Sequence, residues 1–282
     1  MTPGDLEVRP VTLRDVPSLC EVHQGSDGPY PDPVECPIWV NHWLLNGRLC
    51  FVAQMGSLVV GHAEWTLGYP PVPSSRQLYL GMLQVRAENR GRNIGRHLVE
   101  HGASVARSKG CDRLATVPEP EATGFYLKCG FTKTYDLATY RQALSGKQAI
   151  DANWVRRQGV PERTIGALPL RIGLMQACSR HMWESANRPF IVWGSKWHHP
   201  CLARTDGRAY VQLRYRNTNQ AYALSWGSEE VSLGELCEAS RQLGSSCGIE
   251  ELYFVIRSDV VGAEFEDSGL MAIDVVVERV LK

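Results

Sequence analysis

The stretch from Leu78 to Gly110, LYLGMLQVRAENRGRNIGRHLVEHGASVARSKG, constrains this chain more than any other. It reads as an apolar strand, a tight turn and an amphipathic helix. The turn is Arg90-Gly91-Arg92-Asn93-Ile94-Gly95-Arg96. Its consecutive backbone N–H groups can converge at the start of the helix. The helix dipole and three arginines add positive potential at the same point, which suits a diphosphate.

The flanking sequence supplies a sheet for this unit. Leu6 to Val11 alternates like a first strand, and Thr12 can cap a short helix through Asp15, Val16, Leu19 and Val22. His23 to Pro37 is rich in Gly, Pro and Asp and reads as a loop, and Ile38 to Leu45 as a second helix. In that helix Trp39 and Trp43 read as core residues. Leu49 to Gln54 and Leu58 to Leu67 form a hairpin across Met55-Gly56-Ser57, and Tyr69 to Ser75 is a Pro-rich loop. After the helix stop at Lys109-Gly110 come a strand from Arg113 to Val117, a short helix from Glu121 to Lys128 and a closing strand from Phe131 to Tyr140.

The order β-α-α-β-β-β-α-β-α-β, with two motifs at matching separation, resembles the GNAT superfamily of acetyl-CoA-dependent N-acetyltransferases. One motif is Val85 followed by Arg90-Gly91-Arg92-Asn93-Ile94-Gly95, against R/Q-x-x-G-x-G/A. The other is Ala122-x-x-Phe125-Tyr126-x-Lys128-x-Gly130-Phe131, against A-x-x-F-Y-x-x-x-G-F. The resemblance covers roughly residues 5 to 141. It departs at Asn93, where the family has its first motif glycine; Asn tolerates a left-handed backbone better than other non-glycine residues.

The second half repeats the element order at an offset of about 140, and such repeats are to be sought before individual sites are argued. Gly56 to Trp65 has a counterpart in Asp206 to Tyr215, Leu80 to Val85 in Ala221 to Trp226, and the helix from Gly95 in Leu233 to Leu243. Arg113 to Val117 corresponds to Glu251 to Ile256, and Phe125 to Phe131 to Phe265 to Met271. Between the halves, Ala143 to Arg157 and Gly173 to Ser185 look helical. The expected fold class is therefore α/β (α+β): two GNAT-like domains, each a mixed, mostly antiparallel twisted sheet flanked by helices. Residues 1–145 form the cofactor-binding domain, 146–188 a helical connection that could open the second domain, and 189–282 a degenerate GNAT-like domain. Where the phosphate turn would fall, the second half has Glu229 and Glu230, and Ser232 with Glu235 forms a capping box. Glu266 stands in place of Tyr126. One cofactor site is expected, with the C-terminal half supporting the fold, dimerising or walling the acceptor pocket.

Amide formation from a thioester needs a held thioester, a deprotonated amine, a stabilised oxyanion and a departing thiolate. The resemblance implies that the diphosphate of coenzyme A sits on the amides of Arg90 to Arg96. Pantetheine would run along Leu83-Gln84-Val85 like an added strand, with the Leu83 N–H facing the thioester carbonyl. Tyr126 falls on the family's general-acid tyrosine; the alternative is a packing aromatic beside Phe125. Glu64 and Glu119 are the candidate bases, acting directly or through water, and either could instead be an ordinary surface acid. Tyr79 and His62 stand behind them.

A decoy lies in the main helix: His97-Leu98-Val99-Glu100-His101 matches H-x-x-E-H. The apolar stripe is Ile94, Leu98, Gly102 and Val105, and the two histidines lie off it on the polar side. No third ligand follows, so no metal is expected, and His198-His199 reads as a loop pair. Nine cysteines without a C-x-x-C pair suit reduced, mostly buried thiols in a cytoplasmic protein. A formal net charge of zero argues against nucleic acid or anionic membrane as partner. No apolar run approaches ~20 residues, and the N-terminus has no signal-peptide pattern. The expected activity is acetyl-CoA-dependent N-acetylation of a primary amine. A small molecule is the preferred acceptor, lined in part by Tyr30 to Trp43 and Trp193 to His199; a homodimer is compatible with this. The alternatives are an acyl-CoA-binding pseudoenzyme or sensor, a protein acetyltransferase, or a structural homodimer without a ligand.

Overall fold

The computed structural model describes residues 6–26, 30–45, 47–68, 76–173, 178–187, 200–265 and 268–281. The Pro-rich loop expected at 69–75, the segment 193–199 with its histidine pair, and Glu266 lie outside these residues.

In the first half the elements are β1 (Leu6–Pro10), α1 (Val16–Val22), α2 (Glu35–Leu45), β2 (Leu49–Met55), β3 (Leu58–Gly68), β4 (Gln77–Val85), α3 (Ile94–Ser108), β5 (Arg113–Thr116), α4 (Thr123–Lys128) and β6 (Thr132–Ala143). This is the order read from the sequence. The second half continues with β7 (Trp154–Arg157), β8 (Leu170–Ile172), α5 (Ser179–Asn187), β9 (Cys201–Arg204), β10 (Ala209–Tyr215), β11 (Gln220–Gly227), α6 (Leu233–Ser246), β12 (Glu251–Arg257) and β13 (Gly269–Val280).

Two expectations for the connection are corrected. Residues 143–157 are not a helix: β6 ends at Ala143, Gly146 turns the chain at φ 73°, and Trp154–Arg157 pairs with Arg204–Cys201 as an edge strand. Gly173 is not helical either. Its N–H donates to the Val255 carbonyl, prolonging β8, and the helix begins at Ser179. The proposed counterpart of α4 is also reduced. A single turn at Ala263–Phe265 precedes β13, which takes up the residues from Gly269 onward.

All the strands join one sheet, in the order β1-β2-β3-β4-β5-β13-β6-β12-β11-β10-β9-β7, with β8 on β11. Pairing is antiparallel except at β4–β5 and β11–β12, which occupy equivalent places in the two halves. The closing strands are exchanged. β13, from the end of the chain, lies between β5 and β6 of the first half, with Arg113 opposite Val280. β6 in turn pairs with β12 of the second half, with Glu251 opposite Ala143. The two exchanged strands pair with each other along Gly269–Glu278.

Helix α3 covers one face of the first half. Its buried stripe of Ile94, Leu98, Val99, Gly102, Ala103 and Ala106 meets Trp65, Leu78, Leu80 and Leu114. On the opposite face, Tyr79, Ala115, Leu137, Cys178, Val255 and Val276 form a seam drawn from both halves. Helix α5 packs on both β3 and β10, although six strands separate these in the sheet order, so the twisted sheet curves around it. The expected packing roles of Trp39 and Trp43 are seen in their edge-to-face contact at 4.6 Å beside Val40 and Cys36. No helix among the described residues is long and apolar enough to cross a membrane.

Candidate active site

The centre of the first half is a break in the sheet. Glu64 pairs with Met82 but Trp65 pairs with Leu80, which leaves Gly81 as an extra residue in β4. Parallel pairing of β4 with β5 stops at Tyr79–Ala115. The Thr116 hydroxyl then donates to the Leu80 carbonyl at 2.9 Å, and beyond it Leu83-Gln84-Val85 runs on without a β5 partner. The Arg86 N–H donates to Val60 in β3 at 3.0 Å. Because the direction of backbone groups alternates along a strand, the N–H groups of Leu83 and Val85 point the other way, into the gap. The Val85 carbonyl accepts from Arg90 Nε at 3.2 Å, as this alternation requires.

The glycine- and arginine-rich turn stands at the end of this gap. Gly91 has φ 77° and Asn93 φ 63°, and Asn93 is the one non-glycine residue with positive φ among the described residues. Asn93 thus holds the left-handed conformation that its place in the motif demands. It is the N-cap of α3, yet its side chain makes no capping hydrogen bond. The first helical bond runs from the His97 N–H to the Asn93 carbonyl at 3.0 Å, so the amides of Ile94, Gly95 and Arg96 have no partner within the helix. Ile94 anchors the turn in the core, while Arg90, Gly91, Arg92, Asn93 and Arg96 are exposed. Gly95 lies against α4: a Cβ there would come 3.1 Å from Phe125 Cζ. Arg96 donates to the Lys128 carbonyl at 2.8 Å and ties the two helices together. The equivalent helix α6 differs as the sequence indicated. The Ser232 hydroxyl accepts the Glu235 N–H at 3.1 Å, and Glu230 is paired with Arg208.

The three candidate catalytic residues occupy different settings. Tyr126 is buried, with ring centroids 5.0 Å from Phe125 and 5.5 Å from Phe131. Burial, with Cys129 beside it, pushes its phenol pKa up, and it lies close enough to Tyr79 to raise that buried phenol further. Glu64 is buried on β3, and its Oε1 has no hydrogen-bond partner among the described residues. Burial pushes its carboxyl pKa up to about 8. Glu119 is exposed beyond the end of β5, where its carbonyl accepts the Ala122 N–H. His62 is engaged elsewhere: its Nδ1 lies 2.9 Å from His23 Nε2, in a buried cluster with Tyr30.

The H-x-x-E-H residues serve separate local contacts. His97 Nδ1 lies 3.0 Å from its own turn's Asn93 carbonyl, Glu100 pairs with Arg279 at 2.7 Å, and His101 packs edge-on to Phe51 at 4.5 Å. No group of three metal-ligating side chains forms among the described residues. None of the nine cysteines forms a disulfide, and seven of them are buried.

A cluster that sequence reasoning missed joins Arg48 to α5. Arg48 lies 3.1 Å from Glu184, donates to His181 Nδ1 at 2.9 Å, bonds Thr66 and stacks over Trp43 at 4.1 Å. Its members come from segments more than a hundred residues apart. The available signal was His181 and Glu184 interrupting the apolar run of Met182, Trp183 and Ala186.

Residues 13–131 match the model of the acetyltransferase (GNAT) family. A curated relative, glucosamine 6-phosphate N-acetyltransferase 1 of Oryza sativa subsp. japonica, is 43% identical over 49 residues. These are 17% of this chain and 30% of that protein, so the chain spans under a third of the relative's length. Among solved structures, a putative acetyltransferase from Pyrococcus horikoshii aligns over 100% of this chain and 92% of its own, at 13% identity and TM-score 0.62. A GCN5-related N-acetyltransferase from Anabaena variabilis aligns over 98% and 73%, at 11% identity and TM-score 0.68. A tandem GNAT protein from the clavulanic acid biosynthesis pathway aligns over 99% of both chains, at 14% identity and TM-score 0.58. At such identities the likeness is one of fold, and it extends over both halves.

Proposed function

With residues 13–131 carrying a domain of the GNAT acetyltransferase family, we propose that this chain transfers the acetyl group of acetyl-CoA to a primary amine of a small molecule. The observation that carries the reading is the gap at Leu83–Val85 opening directly onto the uncapped start of α3. The residues fit the cofactor at both ends. Unbonded amides and three arginines suit a diphosphate, and the free edge of β4 suits a pantetheine amide chain. Bound there, acetyl-CoA supplies a thioester carbon for the amine to attack. The Leu83 N–H is the donor placed for the carbonyl oxygen as charge develops on it. Glu64, neutral below about pH 8, takes the amine proton once ionised, directly or through water. Tyr126, held protonated by burial, donates its proton to the departing sulfur. Glu119, out in solvent, is the weaker base of the two.

The division of labour follows. Residues 1–145 carry the cofactor and 189–282 wall the acceptor side, with the exchanged strands joining them. The rice relative is by name an N-acetyltransferase of a small amine, the acceptor class proposed here.

Thermal shift with CoA and acetyl-CoA tests the turn, and Arg90→Glu should abolish the stabilisation. If the shift persists in that variant, the cofactor lies elsewhere. Free-thiol release across an amine library, compared with Tyr126→Phe, tests transfer. An unchanged rate in that variant removes the tyrosine from the mechanism.

A further inference from the structure

Helix α5 belongs to the second half but reaches the acceptor face of the first. A Cβ at Gly81, the bulged residue of β4, would lie 3.6 Å from His181 Cε1, and the His181 and Tyr79 rings are 5.6 Å apart. The histidine's tautomer is fixed. Arg48 donates to its Nδ1 at 2.9 Å, and a guanidinium only donates, so the ring proton sits on Nε2. Burial first, then the charges of Arg48 and Arg214, hold the imidazole neutral. Its Nε2–H makes no hydrogen bond among the described residues.

Arg214 on β10 is the second component. Gln212, two residues earlier on the same face of that strand, bonds Asn187 of α5 at 3.1 Å, so this face looks onto α5. Tyr222 is directly opposite Arg214 on β11 and packs at the seam between the halves. The neighbouring arginines are accounted for. Arg48 faces Glu184, Arg180 bridges Glu184 and Glu162, and Arg216 stacks on Tyr253 at 4.6 Å. Arg214 is half-buried and makes no hydrogen bond or ion pair among the described residues, and burial lowers its pKa. The chain on either side of α5, residues 174–177 and 188–199, contains no Asp or Glu to neutralise it. A half-buried guanidinium with no counter-charge is costly to keep, and an anion would complete it.

We propose that Arg214 and the Nε2–H of His181 form the subsite for an anionic group, a carboxylate or a phosphate, on an acceptor whose amine lies at the Gly81 bulge. The inference rests on the acetyl-transfer reading above and narrows its acceptor class. A charged acceptor would be held by the second half while its nitrogen meets the thioester held by the first. The degenerate half would then set specificity rather than serve only as packing.

The test has two arms, both on the full chain. In the binding arm CoA is first saturated to fill the phosphate turn. Acetate and inorganic phosphate are then titrated separately, which distinguishes a carboxylate site from a phosphate site. One of them should raise the melting temperature of the wild type. Arg214→Gln should lose that rise while keeping the shift caused by CoA, and Arg214→Lys should retain part of it. A rise that persists in Arg214→Gln, or no rise with either anion, overturns the proposal. In the turnover arm, amines bearing a carboxylate or phosphate are compared with their neutral amides and alcohols. The anionic member should be preferred, and Arg214→Gln should raise its KM about 10–100-fold with kcat and the KM for acetyl-CoA little changed, as expected for losing one charge-assisted bond. A best acceptor that is neutral or cationic overturns the proposal. Absence of any CoA-induced shift in the wild type instead strikes the cofactor reading, and the anion titration still decides the fate of the Arg214 subsite.

Discussion

The indole of Trp65 occupies the space in front of Gly102: a Cβ on that glycine would fall 2.2 Å from Trp65 Cζ2. This contact sets how closely α3 approaches the sheet, and through α3 it sets the position of the phosphate turn. Gly102→Ala gains up to ~1 kcal/mol of helix propensity. It also forces α3 and the fully buried tryptophan apart, at about 1–3 kcal/mol for overpacking. Net destabilisation is expected, with a lower melting temperature and weaker CoA binding. A more stable Gly102→Ala protein would show that the helix can move freely.

Asn93 offers a second test of the turn. With φ at 63°, Asn93→Ala should cost about 1–2 kcal/mol, and Asn93→Gly should be close to neutral. Because the side chain caps nothing, CoA affinity should follow backbone strain and not the lost amide. Isothermal titration with CoA checks this. Equal weakening in both variants would point instead to a direct contact by the asparagine side chain.

Glu64 gives two pH-dependent signatures. Its folded pKa of about 8 lies above the unfolded value. Stability is therefore fully aided below about pH 4.5, falls as pH rises toward 8, and is flat above. Glu64→Gln should flatten that slope in a thermal melt series. If the carboxylate is the base, acceptor kcat/KM should rise with an apparent pKa near 8. Glu64→Gln should then cost roughly 10²–10⁴-fold, more than Glu119→Gln does.

The buried pair of His23 and His62 predicts the opposite slope in acid. Burial drives the His23 pKa down to about 4, so the unfolded chain takes up a proton that the folded one refuses. Stability is complete above about pH 6.5 and lost toward pH 4, by on the order of 2–3 kcal/mol. The double variant His23→Gln, His62→Gln should show a shallower fall in melting temperature between pH 7 and 5. An unchanged slope would place the acid sensitivity in other groups.

Much of the first half could be read directly, because its signals are local. The helix stripe from Ile94, the glycine stops at Gly56 and Gly110 and the aromatic motif around Tyr126 each act within a few residues. Ser232 and Glu235 likewise announced a helix that caps itself, which the structure shows. The segment 143–157 misled because its helical periodicity carried no information about the edge strand waiting at Cys201–Arg204. The pairing of Arg48 with His181 and Glu184 was hidden for a related reason, although the two polar residues on their apolar helix were a local signal. Nothing local to Arg48 indicates that its counter-charge lies on a helix in the other half. Strand exchange was hidden in the same way, since alternation in Thr132–Ala143 and Gly269–Val280 gives a pairing face without naming the partner.

That exchange has a consequence for how the molecule comes into being. The second edge of β5 stays open until β13 has been synthesised, and β6 stays unpaired until β12 arrives more than a hundred residues later. The first half emerging from a ribosome therefore carries open strand edges until β12 and β13 have been made, and its sheet closes only then. Folding should be slow and all-or-none across both halves, because contacts this distant in sequence carry a large loop-closure cost. The site's architecture and the presence of its partner half are then one event.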